Sequence, residues 1–251
     1  MNIIDNNRNF MKSNFKEMEN VVSDQMKNLP QPTLEKEFDK DSEIFGLVPI
    51  EKIKIENDNL ILNIEHRKSH RQYIEKPLSL GELSFLLWAS QGVKSVYERN
   101  NKSYATFRTV PSAGSRHPFE TYLLINNVDG LKRGLYRYLA IEHKLMFIHE
   151  LENQNEGIID ATLGQKFTGK AAVVFIWSCV AYRGEWRYNI AAHKAMLLDA
   201  GHVCQNLYLA CEGINAGTCA IAAYDQEKVD TIIDVDGKNE FSVYLAPVGK
   251  Y

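Results

Sequence analysis

The sequence predicts one α/β domain preceded by an N-terminal extension, and three observations predict it. The 251 residues are 45% hydrophobic and 24% charged, which is enough apolar surface for a full core in a chain too short for two ordinary domains. After Arg71 the pattern becomes regular, with β-like runs that include two joined by a short turn. One long helical pattern, Asn189 to Asn215, is apolar nearly all round, which places it in the middle of the molecule or in a dimer interface.

The elements follow in order. Phe10, Met11, Phe15, Met18 and Val22 recur at helical spacing, so Asn9 to Lys27 is expected as a polar helix that Pro30 and Pro32 end. From Leu34 to Glu65 the pattern is mixed, and the short β-like pieces Ile53 to Ile55 and Leu60 to Leu62 suggest an arm that packs on something, a partner subunit included. Residues 1–64 are therefore taken as an extension and 65–251 as the domain. Ser79, with Glu82 three residues on, makes a capping box for a helix through about Ser90 whose Leu80, Leu83, Leu87 and Trp88 face the core. Strands are expected at Glu120 to Asn126, Gly134 to Ala140, Lys144 to His149 and Ala172 to Val180, with a turn at Glu142 and His143 joining the middle two. The last of them is apolar nearly throughout and belongs in the centre of the sheet. In the long helix Met196, Ala200, Val203, Leu207 and Cys211 share a face. Gly213 and Gly217 punctuate its end, a shorter helix follows Asp225, and Glu240 to Val248 supplies a last strand.

Charge and composition exclude several function classes. A net charge of −3 gives no general attraction to nucleic acid, so any anion site is local. The first ten residues lack the apolar core of a signal peptide, and the longest apolar run, Ala171 to Ile176, is far too short to span a bilayer, so a cytoplasmic protein is expected. Cys179, Cys204, Cys211 and Cys219 sit in apolar patterns without C-x-x-C spacing and are expected as reduced core thiols. His66 and His70 have metal-pair spacing, but no further ligands complete a site.

Three segments could meet in one anion site. Arg67, Lys68 and Arg71 place cations about a helical turn apart and Ser69 adds a hydroxyl, a set that can satisfy a phosphate, although a basic tetrad before a proline is also an ordinary solvated surface. Pro111 to Pro118 is a small-residue loop in which Ser112, Ala113 and Gly114 let the backbone lie flat on a large planar ligand such as a flavin; the alternative is a simple turn entering a strand. Gly217 to Asp225 leaves the long helix as an apolar, small-residue segment in which Ala222 and Ala223 permit close contact, or merely packs helix on sheet. Gly249 and Lys250 close the set.

The order Arg67-Lys-Ser-x-Arg71, Pro111-Ser-Ala-Gly-Ser-Arg-His-Pro118, Gly134-Leu-Tyr-Arg-Tyr138, Leu198-Asp-Ala-Gly-His-Val-Cys-Gln-Asn-Leu-Tyr-Leu209 and Ala246-Pro-Val-Gly-Lys250 resembles the nitroreductase-like flavoproteins. Within them it is most similar to the SagB/ThcOx-type dehydrogenases, over roughly Glu65 to the C-terminus, and Ser23 to Lys36 is similar to the leader of that branch. The resemblance implies an α+β nitroreductase-like fold, a central mixed or antiparallel sheet flanked by helices, in an intertwined homodimer with two FMN sites at the subunit interface. It implies that Arg67, Lys68, Ser69, Arg71 and Lys250, beside Gly249, hold the phosphate and ribityl chain. Pro111, Ser112, Ala113 and Gly114 would lie along the flavin from the neighbouring subunit, with Ala222 and Ala223 near its reactive nitrogen.

The implied activity is an FMN-dependent oxidoreductase acting on a small-molecule or peptide-derived substrate. Azoline-oxidising members carry a Lys-Tyr pair before the long helix, where this chain has Arg187 and Tyr188; an arginine stays protonated and is a poor base, so Tyr188 is the expected proton donor or acceptor. NAD(P)H-driven reduction of a nitro or quinone compound, with NAD(P)H as a transient electron donor, is the alternative activity. A non-catalytic flavin-binding scaffold, favoured by Arg187, is the alternative class.

Overall fold

The computed structural model describes residues 2–13 and 15–251. The chain opens with α1 (Ile3–Phe10), capped by the Asn2 side chain on the Asp5 amide, and a 3₁₀ turn at Phe15–Met18. The single helix expected over Asn9 to Lys27 does not form, although Asn14 within it lies outside the described residues. Beyond Met18 the chain runs as turns and extended segments. There the Ser23 hydroxyl takes the Met26 amide, the local competition with helical bonding that serine side chains offer.

β1 (Ile44–Gly46) and a 3₁₀ turn at Ile50–Lys52 lead to α2 (Leu60–His66). Ile53 and Ile55 join no ladder but pack on the core. The β-like reading of Leu60 to Leu62 is corrected to helix: the Asn59 side chain accepts from the Ile61 and Leu62 amides, and this N-cap outweighs the β preference of two isoleucines. α3 (Leu80–Gln91) starts on the expected capping box, with Leu83 and Leu87 buried and Leu80 and Trp88 packed beside them.

A hairpin of β2 (Val93–Arg99) and β3 (Lys102–Arg108) then stands apart as a two-stranded sheet. The main sheet takes in β4 (Phe119–Ile125), β5 (Gly134–Leu139) and β6 (Lys144–His149). α4 (Gln154–Ala161) separates these from β7 (Val173–Val180), and α5 (Tyr182–Tyr188) leads into α6 (Ala192–Gly213). β8 (Gly217–Thr218), α7 (Gln226–Ile232), capped by Asp225, and β9 (Glu240–Gly249) complete the chain. Strand order is β1-β6-β5-β4-β7-β9-β8, and every ladder is antiparallel. The fold is α+β, and β7 is central, as its apolar sequence requires.

Period-two alternation divides the core. Val173, Phe175, Trp177 and Cys179 of β7 and Leu123 and Ile125 of β4 face α3 and α6, whereas Val174, Ile176, Tyr122 and Leu124 face α4 and α7. All four cysteines are free and buried, and among the described residues no group of histidine, cysteine and carboxylate side chains could hold a metal. No helix is long and apolar enough to cross a membrane among the described residues.

Residues 24–48 pack on the rest of the same chain, β1 as the edge strand of the main sheet and the segment before it mostly through backbone groups. The Trp186 indole donates to the Leu29 carbonyl, Arg183 Nε to Thr33, and Arg137 to Lys36 and Glu37; Glu35 accepts from the Ala140 and Ile141 amides. Arg183 is also paired with Glu120 at 2.5 Å, both side chains 3% exposed. Removing one partner strands a buried charge. Glu120→Ala is therefore expected to lose roughly 3–5 kcal/mol of stability, read from chemical denaturation, with the 24–38 segment becoming protease-sensitive.

Candidate functional site

The basic segment, the stretch after α6 and the C-terminus converge. Arg67 closes α2, and the next residues run beside β8: Ser69 bridges Thr218, the His70 amide donates to the Thr218 carbonyl at 2.9 Å, and Gly217 pairs with Gly249. Gly217 is obligatory, because a Cβ there would lie 2.4 Å from the His70 ring. Tyr208 of α6 ties the segments together. Its hydroxyl is 2.9 Å from Ser69 Oγ and accepts the Ala220 amide at 2.8 Å, while the Arg67 guanidinium lies over its ring at 5.4 Å.

Arg67 is half-buried, Lys68 and Arg71 are exposed, and none of the three has a carboxylate within ion-pair distance among the described residues. Glu212 lies nearby on α6, and burial pushes its carboxyl above the usual range, against the Lys68 backbone amide and the neighbouring His66, Arg67 and Lys68 charges. Ala222 and Ala223 are exposed just past Ala220, and the Ala223 carbonyl accepts from Gln165. Lys250 is placed differently from the other cations. Its ammonium is buried, bonded to Glu82 at 2.5 Å and to the Ile214 carbonyl, and so is already neutralised.

The second cluster forms around Pro111 to Gly114. Gly114 adopts φ +59°, and a Cβ there would meet the Tyr188 hydroxyl at 2.5 Å and Arg187 Nε at 3.1 Å. The loop and the Arg187–Tyr188 pair, 73 or more residues apart in sequence, thus touch. The Arg187 guanidinium lies 5.4 Å from the Tyr188 ring centroid, and Phe15 packs edge-on against that ring. Tyr182 to Tyr188 forms helix α5, and Tyr97 to Tyr104 forms the tip of the β2–β3 hairpin.

Asp199, buried on α6, fixes the loop. It accepts the Ser112 hydroxyl at 2.7 Å and the Ala113 amide at 3.1 Å, and Ser112 Oγ in turn accepts the His117 amide at 2.9 Å. Burial raises the Asp199 carboxyl above its ordinary value, against those two bonds and the His202 charge. Asp199 and Tyr208 escaped the residue-by-residue reading, although both lie inside the Leu198 to Leu209 motif; a carboxylate on an otherwise apolar helix was the available signal. Nine residues separate them, so the two clusters are about 13–14 Å apart along the axis of α6.

The sequence model described as the Nitroreductase family matches residues 64–250. A protein of Methanocaldococcus jannaschii named as a candidate nitroreductase is 34% identical over 204 residues, 81% of this chain and 94% of that protein. Among solved structures, a candidate nitroreductase from Ralstonia eutropha superposes with a TM-score of 0.67 at 22% identity, covering 88% of this chain and 94% of its own. A chain of the Escherichia coli microcin synthetase McbBCD complex with truncated pro-MccB17 bound superposes with a TM-score of 0.60 at 14% identity, over 100% of this chain and 98% of its own.

Asp199→Ala leaves the Ser112 hydroxyl and Ala113 amide without their acceptor. It is expected to cost roughly 1–3 kcal/mol and to speed hydrogen exchange across 111–117. An acid whose pKa rises on folding binds its proton more tightly in the native state. Wild-type stability should thus fall as pH climbs from the ordinary carboxylate range through the raised value, and Asp199→Asn should flatten that limb in urea titrations from about pH 4 to about pH 8.

Proposed function

The chain belongs to the nitroreductase family, and we propose that it is an FMN-dependent oxidoreductase of the SagB/ThcOx kind, exchanging a hydride with a small organic or peptide-derived reactant. The observation that carries this reading is the gathering of three cations, Arg67, Lys68 and Arg71, without ion pairs among the described residues, with the Ser69 hydroxyl at the junction of α2 and β8. A phosphate monoester brings about two negative charges, and this donor set fits them without breaking any existing ion pair. Lys250 would join only by leaving Glu82, so Arg67, Lys68, Ser69 and Arg71 are assigned the phosphate, with Gly249 at the adjoining strand end. Ala222 and Ala223 leave room for the ring system beyond.

When bound, FMN supplies the two-electron hydride chemistry. The protein's share is binding, orientation and proton handling. Pro111, Ser112, Ala113 and Gly114, which pass from an extended Ser112 into a tight 3₁₀ turn at Ala113–Ser115, are held by Asp199 in position to line a flavin from the neighbouring subunit of a homodimer. Exposed Leu197 and Leu198 on α6 and Leu60, Ile61 and Ile64 on α2 support that assembly, since an isolated chain leaves these apolar side chains in water. Tyr188, against Gly114, is the proton donor or acceptor for the reactant, and Arg187 is a fixed cation that orients it. The peptide bound in the microcin synthetase complex supports a peptide-derived reactant. The relative named as a candidate nitroreductase favours a second reading, reduction of a nitro or quinone compound with electrons from NAD(P)H, in which Arg187 stays a fixed cation and Tyr188 or solvent supplies the proton.

Arg67→Ala combined with Arg71→Ala should yield a folded, colourless protein by circular dichroism and visible absorbance; retention of yellow FMN would overturn the phosphate assignment. Tyr188→Phe should keep its flavin yet turn over reactant about 10²-fold or more slowly, the usual scale of a lost proton-transfer group. An unaltered rate would remove Tyr188 from the mechanism.

A further inference from the structure

Behind the Pro111 to Gly114 loop, on the side toward the β2–β3 hairpin, lies a separate cavity of about 360 Å³ lined by Lys94, Arg108, Thr109, Ser112, Ser115 and His117 together with Phe107, Val110 and Pro111. No carboxylate among the described residues lines it. Arg108 is 6% exposed yet has no carboxylate within ion-pair distance among the described residues; it is held by Thr106 Oγ1 at 3.2 Å, Gln91 Oε1 at 3.0 Å and, weakly, the Leu34 carbonyl. A guanidinium has five N–H groups, so donors are left over. The nearest acids are engaged elsewhere: Glu120 with Arg183, Glu35 with two backbone amides, and Asp199 with Ser112 and Ala113.

The remaining groups have the same sign or are donors. Lys94 makes no ion pair among the described residues, and the Ser115 hydroxyl takes part in no hydrogen bond there. Burial first, and then the Arg108 and Arg116 charges against a bond to the Thr106 backbone, push His117 down to about 3, so it faces the cavity neutral. The amide nitrogen of Gln91, whose oxygen holds Arg108, is buried without a partner. Glu120 and Glu35 act on Arg108 only from beyond ion-pair distance, so the cost of its burial is incompletely offset, and a polar cavity at its side gives an anion a place to offset the rest.

We propose that this cavity is an oxyanion site, taking a carboxylate or phosphate group of the reactant or of the electron donor and so anchoring it beside the loop that would lie along the flavin. The anion-binding surface is a property of Lys94, Arg108 and Ser115 and stands without the flavin; its role in selecting a reactant rests on the oxidoreductase reading. The loop residues Pro111 and Ser112 are shared with that assignment, and Lys94, Arg108 and Ser115 are not.

The experiment is calorimetric titration of the full-length protein with inorganic phosphate at low salt, in three backgrounds: wild type supplied with FMN, Arg67→Ala/Arg71→Ala, and Lys94→Glu/Ser115→Ala. The expected result is one site retained in the first two and weakened at least about tenfold in the third, a single lost charge-assisted contact being enough for that. Because Lys94 is exposed, the third variant folds, which circular dichroism checks. Competition then separates the sources: displacement by NADPH but not NADH assigns the nucleotide phosphate, and displacement by small carboxylates or a peptide C-terminus assigns the reactant. Equal phosphate affinity in the third background, or phosphate that none of these ligands displaces, overturns the proposal. Flavin content is read separately from absorbance, so loss of the FMN reading and loss of this site are distinguishable outcomes.

Discussion

The buried face of α6 sets the geometry on which the candidate site depends. Asp199 on this helix fixes the small-residue loop, and Tyr208 fixes Ser69 and Ala220. Both are carried by a helix whose Met196, Ala200, Val203, Leu207 and Cys211 are packed into the main core. A close-packed interior does not deform smoothly, so the spacing between the two clusters is as rigid as the core itself. The polar contacts are few and individually modest. Their precision comes from the apolar packing behind them.

Charge burial is the second constraint, and the protein meets it unevenly. Arg183 is matched by Glu120, and Lys36 by Glu240 at 2.7 Å. Arg116, 5% exposed, instead donates to the Gly114 and Tyr104 carbonyls and lies over the Tyr104 and Trp186 rings at 5.0 and 5.6 Å. Burial and the nearby Arg187 charge hold its guanidinium below the ordinary value. Carbonyl dipoles and aromatic faces offset part of the desolvation cost but do not cancel the charge. The region between the loop, α5 and the hairpin is therefore electropositive in a protein whose net charge is −3. A local field of this kind selects anionic ligands without making the whole surface attractive to polyanions.

What the sequence disclosed follows from how local each determinant is. The capping box at Ser79 and the apolar run of β7 are short-range signals, and both elements appear where those signals place them. The β2–β3 hairpin left no comparable trace, because most of its side chains are exposed and neither face imposes an alternation of apolar and polar residues. α5 was hidden by a composition of tyrosine, arginine and glycine that favours no element strongly. The basic cluster, the loop and the Arg187–Tyr188 pair were visible as motifs. The contacts of Asp199 with Ser112 and Ala113, across 87 and 86 residues, exist only once the sheet has brought the loop onto α6.

Lys250 shows how a residue can carry the right chemistry for one role and be held in another. Glu82 uses one carboxylate oxygen to close the capping box on Ser79 and the other to hold Lys250, so a single side chain joins the start of α3 to the C-terminal strand. A carboxylate at a helix N-terminus is already favoured by the helix dipole, and the added cation makes it a half-buried acceptor bonded at both oxygens. The Ile214 carbonyl at the end of α6 takes another ammonium proton, drawing α3, α6 and β9 together at one point. For Lys250 to turn toward a phosphate, all three elements would lose that tie and Glu82 would be left partly buried without its counter-charge. Arg67, Lys68 and Arg71 make no ion pair among the described residues, and an anion arriving at the junction of α2 and β8 meets them first.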